Sequence, residues 1–122
     1  MRVIVTGSRG WTDRGRIAAR LAQLDVAADP PMIVVGYNPE TDTPKGVDRI
    51  TYQEAQKLGL GVECHIAYWN EHGKAAGFRR NAVMAKSGAD LCIAFWDGRS
   101  TGTLDMINRA VKNTIPVEVI MA

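Results

Sequence analysis

Only two of the 122 residues are cysteine, Cys64 and Cys92, each inside an apolar stretch. A disulfide-stapled scaffold is therefore not expected; two buried thiols in a reducing compartment are. Histidine is equally scarce. His65 and His72, with the two separated cysteines, lack metal-ligand spacing, so neither a metal nor another cofactor is expected. Long hydrophobic runs are missing as well. No segment approaches the ~20 apolar residues needed to span a bilayer. The opening "MRVIVTGSRGW" holds a three-residue apolar run, too short for the core of a signal peptide. The expectation is a soluble, cytoplasmic protein without a membrane partner. Charge of one sign is lacking too: a net charge of +2 permits an anionic ligand but supplies no concentrated basic stripe for a nucleic-acid duplex.

What is present is ordinary globular material. Apolar residues make up 46% and charged residues 23%, which argues against disorder, and the length fits a single domain over 1–122. Five short runs rich in Val and Ile recur: "RVIVT" (2–6), "MIVVG" (32–36), "GVECHI" (61–66), "DLCIAF" (90–95) and "PVEVI" (116–120). Runs apolar on both faces suit a parallel sheet covered on both sides. Helical periodicity fills the intervals, with Ile17, Leu21 and Leu24 in 13–25 and Val47, Ile50, Ala55 and Leu58 in 47–58. Ala75, Phe78, Ala82 and Ala85 repeat it in 75–86, and Leu104, Ile107 and Val111 in 102–112. The reading is α/β, a doubly wound domain with a five-stranded, mainly parallel sheet. In such a sheet the carboxyl ends of the strands share one edge, where helices begin and ligands gather.

Four loops are expected at that edge. The first, "TGSRGWTDRGR", offers Gly7 for a tight turn, the Ser8 hydroxyl and the Arg9 donor fork, with Thr12 or Asp13 as helix N-cap; a capped turn with a solvated arginine reads equally from it. The second, "GYNPETDTPKGVDRI", brings Lys45, Gly46 and Asp48 to a helix start, and its polar stretch 36–46 reads as a mobile lid or an exposed loop. The third, "AYWNEHGKAAGFRRNAVM", puts Lys74, Arg79 and Arg80 at or just inside a helix start. Cations there oppose the helix dipole, which an anionic ligand would explain. Trp69 reads as a base-stacking ring or a core residue, His72 as part of a polar loop. The fourth, "WDGRSTGT", brackets Ser100 and Thr101 with Gly98 and Gly102. It is an anion nest or a plain turn, without the lysine of a Walker-type loop.

The stretches "VIVTGSRGWTD", "GVD", "WNEHGKAAGFRRNAVM", "GADLCIAFWDGRSTGTLDMI" and "IPVEVI" resemble, in that order from Met1 to about Ile120, the YspA/cpYpsA-related family of the SLOG superfamily. That superfamily joins Rossmann-like domains akin to the DNA-processing protein DprA and the LOG phosphoribohydrolases. The resemblance implies a Rossmann-like parallel sheet that binds a nucleotide or nucleotide-derived ligand. Matched by position, it implies contacts from Gly7, Ser8 and Arg9, from Lys74, Gly77, Arg80 and Asn81, and from Gly98, Ser100, Gly102 and Thr103. Two departures stand out. The compact Gly-Gly-Ala-x-Gly-Ala-Asp of the family's second loop is lengthened here to "GYNPETDTPKGVD", which retains Lys45, Gly46 and Asp48 at its end. The LOG-type catalytic glutamate falls on Met106, and the adjacent Asp105 is turned away by about 100° of helix.

Three functions follow from this reading. The first is a binding module, sensor or sequestering, for a nucleotide, ADP-ribose-like or phosphoribosyl compound. Arg9, Lys74 and Arg80 would neutralise phosphate, and Trp11 or Trp69 would stack on the base. The second is a phosphoribohydrolase-like enzyme using Asp97 or Asp48 in place of the absent glutamate. The third, single-stranded nucleic-acid binding, is least favoured by the small net charge. An exposed apolar helix face would allow a homodimer.

Overall fold

The computed structural model of the protein, which describes residues 1–25 and 29–122, alternates strands and helices. β1 (Arg2–Gly7) leads to α1 (Arg14–Asp25), and β2 (Met32–Val35) to α2 (Val47–Lys57). β3 (Gly61–Cys64) leads to a short α3 (Trp69–His72), a 3-10 turn (Gly73–Ala75) and α4 (Ala76–Lys86). β4 (Leu91–Trp96), α5 (Thr101–Lys112) and β5 (Val117–Met121) complete the chain. The strands lie in the order β3-β2-β1-β4-β5, and every pairing is parallel. The doubly wound α/β architecture expected from the sequence is thus present, with a sheet parallel throughout.

The strand composition explains the two layers. Successive side chains on a strand point to opposite faces. Val3, Val5, Ile33, Val35, Ile93 and Phe95 pack on one face with Ile17, Leu21 and Leu24 of α1 and Val47, Ile50 and Ala55 of α2. Ile4, Val34 and Cys92 pack on the other with Met84 and Ala85 of α4 and Met106 and Ala110 of α5. Burying each large aliphatic side chain contributes ~1.5–3 kcal/mol. The central strands therefore need apolar residues at consecutive positions, as in "VIV" and "IVV". Cys92 is buried and Cys64 half-buried; both are free thiols, on strands that β1 and β2 separate.

Two local expectations change. β3 ends at Cys64 rather than running through 66, because its only neighbour, β2, ends opposite it at Val35; the His65 N–H still reaches the Val35 carbonyl at 2.9 Å before the chain turns off the sheet. The segment read as a polar loop around His72 is helical, since Tyr68 accepts from the amides of Glu71 and His72. Asp13, as one of the two candidate caps, holds the start of α1 through an Arg16 N–H bond to Oδ1 at 3.2 Å.

Two glycines bring α2 against the first loop. A Cβ on Gly7 would lie 2.4 Å from Val47 Cγ2 and 2.5 Å from the Phe95 carbonyl oxygen. A Cβ on Gly46, at φ +78°, would lie 2.4 Å from the carbonyl oxygens of both Ser8 and Arg9. The missing side chains let the Val47 N–H reach the Ser8 carbonyl at 3.2 Å, while the Ser8 N–H donates to Phe95 at 3.1 Å. Loops one, two and four are thereby tied at one point. Gly59, at φ +73°, has open space around its missing Cβ and so isolates the backbone term. Gly59→Ala is expected to cost about 1 kcal/mol of stability from φ alone. Gly46→Ala should cost at least twice as much, because its obstruction is backbone, and chemical denaturation of the two variants measures the difference.

Candidate functional site

In strand order, β2 and β3 extend to one side of β1 and β4 and β5 to the other, so the switch point lies between the ends of β1 and β4. A cleft of about 390 Å³ opens there, walled by the loops after β1, β3 and β4 and by the start of α2. Its floor is Thr6 and Gly7. Arg9, Lys74 and Arg80 bring cations to it, Asp48 is its single carboxylate, and Trp69 and Phe78 are its aromatic rings.

The far wall is the beginning of α5. Asp97 Oδ1 accepts the amides of Arg99 and Ser100 at 2.8 Å each, which folds the loop, and Trp96 Nε1 donates to the Ser100 carbonyl at 3.1 Å. The first helical bond runs from the Leu104 N–H to the Ser100 carbonyl, and no side chain caps the helix. The amides of Thr101, Gly102 and Thr103 thus sit at the positive end of a twelve-residue helix whose first three residues line the cleft. The missing side chain of Gly102 faces open space, so an anion can approach the backbone there.

Arg80 is the best-anchored cation. It rises from the second turn of α4, where Nη1 donates to the Gly36 carbonyl at 3.1 Å and Nη2 to Asn81 Oδ1 at 3.3 Å. Its Nε is buried without a hydrogen-bond partner among the described residues. Gly36 makes the position available, because a Cβ there would lie 2.6 Å from the guanidinium carbon. Burial lowers the Arg80 pKa from the ordinary guanidinium value, and the neighbouring Asp48 opposes that shift. Arg9 is exposed, its guanidinium 5.6 Å from the centroid of the Trp69 ring, a cation–π arrangement. Lys74 stands exposed on the 3-10 turn.

Asp48 is nearly fully buried at the start of α2. Burial pushes its carboxyl up to about 7, against the opposing pull of Arg80 and Arg9. It therefore holds its proton to a higher pH than a surface aspartate does.

The geometry assembles Gly7, Arg9, Asp48, Trp69, Lys74, Gly77, Arg80, Asn81, Ser100, Gly102 and Thr103 around one cleft. Asn81 also clamps the two helices, with Nδ2 donating to Asp105 Oδ2 at 3.0 Å and to the Gly102 carbonyl at 3.3 Å. Other expected contacts lie elsewhere. Trp11 is buried in the core with its ring edge-on to Phe95 at 5.5 Å and its Nε1 bonded to the Asp13 carbonyl, so it cannot stack on a ligand in the cleft. Ser8 is buried and spends its Oγ on the Asp97 amide at 3.1 Å. Lys45 is exposed beside the cleft rather than on it, Gly46 is closed in by the Ser8 and Arg9 carbonyls, and Gly98 shapes its loop at φ +80°. Arg79 points away from the cleft to another surface depression. Asp97 is exposed and locked by its own turn, and Met106 is fully buried in the α4–α5 core. Thr101, bracketed with Ser100 in the glycine-rich fourth loop, lines the cleft as well, and so do Thr6, Pro44 and Phe78, which the sequence did not mark as site residues. Gly36, the first glycine of the lengthened second loop, carried a signal through its place there.

A parallel sheet with helices on both faces and a cleft at its switch point defines a Rossmann-like domain. The chain belongs to the YspA/cpYpsA-related SLOG family, whose sequence model matches residues 1–72. It is similar to the Gene 61 protein of Mycobacterium phage D29, at 40% identity over 117 residues covering 95% of this chain and 93% of that one. No solved structure matches. Family membership suggests a nucleotide-related ligand. The matched segment stops short of Lys74, Arg80 and "GRSTGT", whose grouping rests on the geometry above.

Because the folded pKa of Asp48 lies above its ordinary value, the folded state holds an extra proton between about pH 4 and 7, and stability falls as pH rises through that window. Asp48→Asn removes this burden. The variant is expected to melt roughly 5 °C or more above the parent at pH 8, the equivalent of at least 1 kcal/mol, with the gap closing toward pH 4. Thermal melts of both proteins across that range measure it.

Proposed function

We propose that residues 1–122 form one domain that binds the phosphate of a nucleotide or nucleotide-derived compound in this cleft, as a cytoplasmic sensor or sequestering module. The observation that carries the reading is the convergence of Arg9, Lys74 and Arg80 with the uncapped amides of Thr101–Thr103 around one 390 Å³ space. Such a space is at the scale of a small-molecule site. Helix amides and an anchored guanidinium supply directed donors, and Arg9 and Lys74 supply charge. Trp69, 44% exposed, is the ring available for stacking. The exposed Val83, Leu104 and Val111 of α4 and α5, outside the cleft, are the apolar residues a homodimer would use.

Incubation of the protein with mononucleotides, NAD, ADP-ribose and cyclic ADP-ribose isomers, followed by washing, heat release and mass spectrometry, is expected to return one compound class intact. Arg80→Ala should weaken its retention tenfold or more, about 1.4 kcal/mol, through loss of a charge-assisted contact. Unchanged retention in a folded Arg80→Ala variant overturns this placement of the phosphate.

One observation favours a second reading, hydrolysis of a nucleoside monophosphate to free base and ribose phosphate. Asp48 stands in the cleft with a carboxyl near pKa 7, suited to accept a proton from an attacking water. Asp97, bound by its own turn, does not serve this reading. Release of free base in the same assay, abolished by Asp48→Asn, is its expected signature.

A further inference from the structure

A second cavity of about 440 Å³ adjoins the anion cleft and shares Pro44, Trp69 and Arg80 with it. Its outer wall is the lengthened second loop, and its opposite side is the chain that leaves β3 for α3. The loop is internally braced. Asn38 and Thr43 exchange both backbone bonds, the Tyr37 hydroxyl bonds to Asp42, and Arg49 of α2 donates Nε to Asp42 Oδ1 at 2.8 Å and Nη2 to the Asp42 carbonyl at 2.9 Å. The Glu40 N–H is held by Asn38 Oδ1 at 3.0 Å. These bonds brace the segment as one wall of the cavity.

The chemistry of the two spaces differs. The cleft is cationic. The side chamber shares Arg80, whose Nη1 is taken by the Gly36 carbonyl, and adds His65, exposed Tyr68 and Trp69 rings, the amides of Asn38 and Asn70 and the carboxylates of Glu40 and Glu71. Carboxylates repel a second phosphate, whereas aromatic faces with amide and carboxylate edges suit a flat, uncharged heterocycle presenting N–H donors. Trp69 lines both spaces, so a single ligand running from one to the other would pass it. Each space lies in the lower half of the ~300–1,000 Å³ range of small-molecule sites, and together they approach its upper end.

We propose that the loop between β2 and α2 builds a nucleobase chamber, so that a bound nucleotide lies extended across Trp69 with its phosphate in the cleft and its base against Tyr68 and the loop. The proposal rests on the phosphate reading of the cleft, and it assigns base selection to the segment in which this chain departs from its family's compact loop.

The test is isothermal titration with ribose 5-phosphate, which needs the cleft alone, and with the four ribonucleoside 5′-monophosphates. Ala67→Trp and Thr41→Trp, made separately, would each fill the chamber from positions outside the cleft. The parent protein is expected to bind its preferred monophosphate at least tenfold more tightly than ribose 5-phosphate. Either filled variant, its fold checked by circular dichroism, should lose that advantage while holding ribose 5-phosphate within twofold of the parent. Monophosphate affinity unchanged in both variants, or no preference for monophosphates in the parent, overturns the chamber and leaves the phosphate cleft standing. Failure of the parent to bind ribose 5-phosphate and all four monophosphates at millimolar concentration overturns both.

Discussion

A guanidinium held at the edge of a sheet has to be compensated, and the way Arg80 is compensated organises everything around it. Desolvation disfavours a buried cation unless donors find acceptors and a counter-charge stands near. Arg80 reaches the Gly36 carbonyl beyond β2 and the Asn81 side chain on its own helix, and it faces Asp48 at the start of α2. Three elements are thereby set in relation to one side chain. Among the described residues its Nε has no acceptor, and the cleft opens beside it.

The backbone makes room for that arrangement by omission. Gly36 leaves space for the guanidinium, Gly46 for two carbonyls and Gly7 for Val47 and the Phe95 carbonyl. A methyl group at Gly7 or Gly46 would meet backbone and push apart elements whose approach defines the cleft, whereas one at Gly36 would displace the Arg80 guanidinium. The polar anchors are equally local. Asp97 folds its own loop and Ser8 holds the Asp97 amide, so two groups that resemble ligand contacts on paper are consumed in aiming the α5 amides. Asn81 does both, lining the cleft while clamping α4 to α5.

Asp48 shows the opposing tendency. A carboxyl raised to about 7 by burial is a burden on the fold at neutral pH, and its position between Arg80 and Arg9 lightens that burden without removing it. Strained electrostatics of this kind cluster at functional sites, where a group is placed for what it meets rather than for the stability it adds. Met106, which by resemblance falls where LOG-type enzymes carry a glutamate, goes the other way and is wholly given to the core. Among the described residues, the one carboxylate lining the cleft thus comes from α2, not from α5.

The alternation of apolar runs with helical periodicity was sufficient for the architecture, because a strand covered on both faces and a helix covered on one leave different periods in the chain. It placed the strands and main helices to within a residue or two and brought Arg9, Lys74, Arg80 and Ser100–Thr103 to one edge. Linear order could not separate Trp11 from Trp69. Both follow strands and both stand near basic residues, yet one ring closes on Phe95 while the other lies open beside Arg9. Nor could it show that "NPETDTP" braces itself into a wall, since that depends on Tyr37 and Arg49 both reaching Asp42. Sequence by itself determined which residues arrive at the carboxyl edge. Only the tertiary structure decided which of them face the cleft, because that choice is made by packing distances and hydrogen-bond partners lying up to 89 residues apart, as between Ser8 and Asp97.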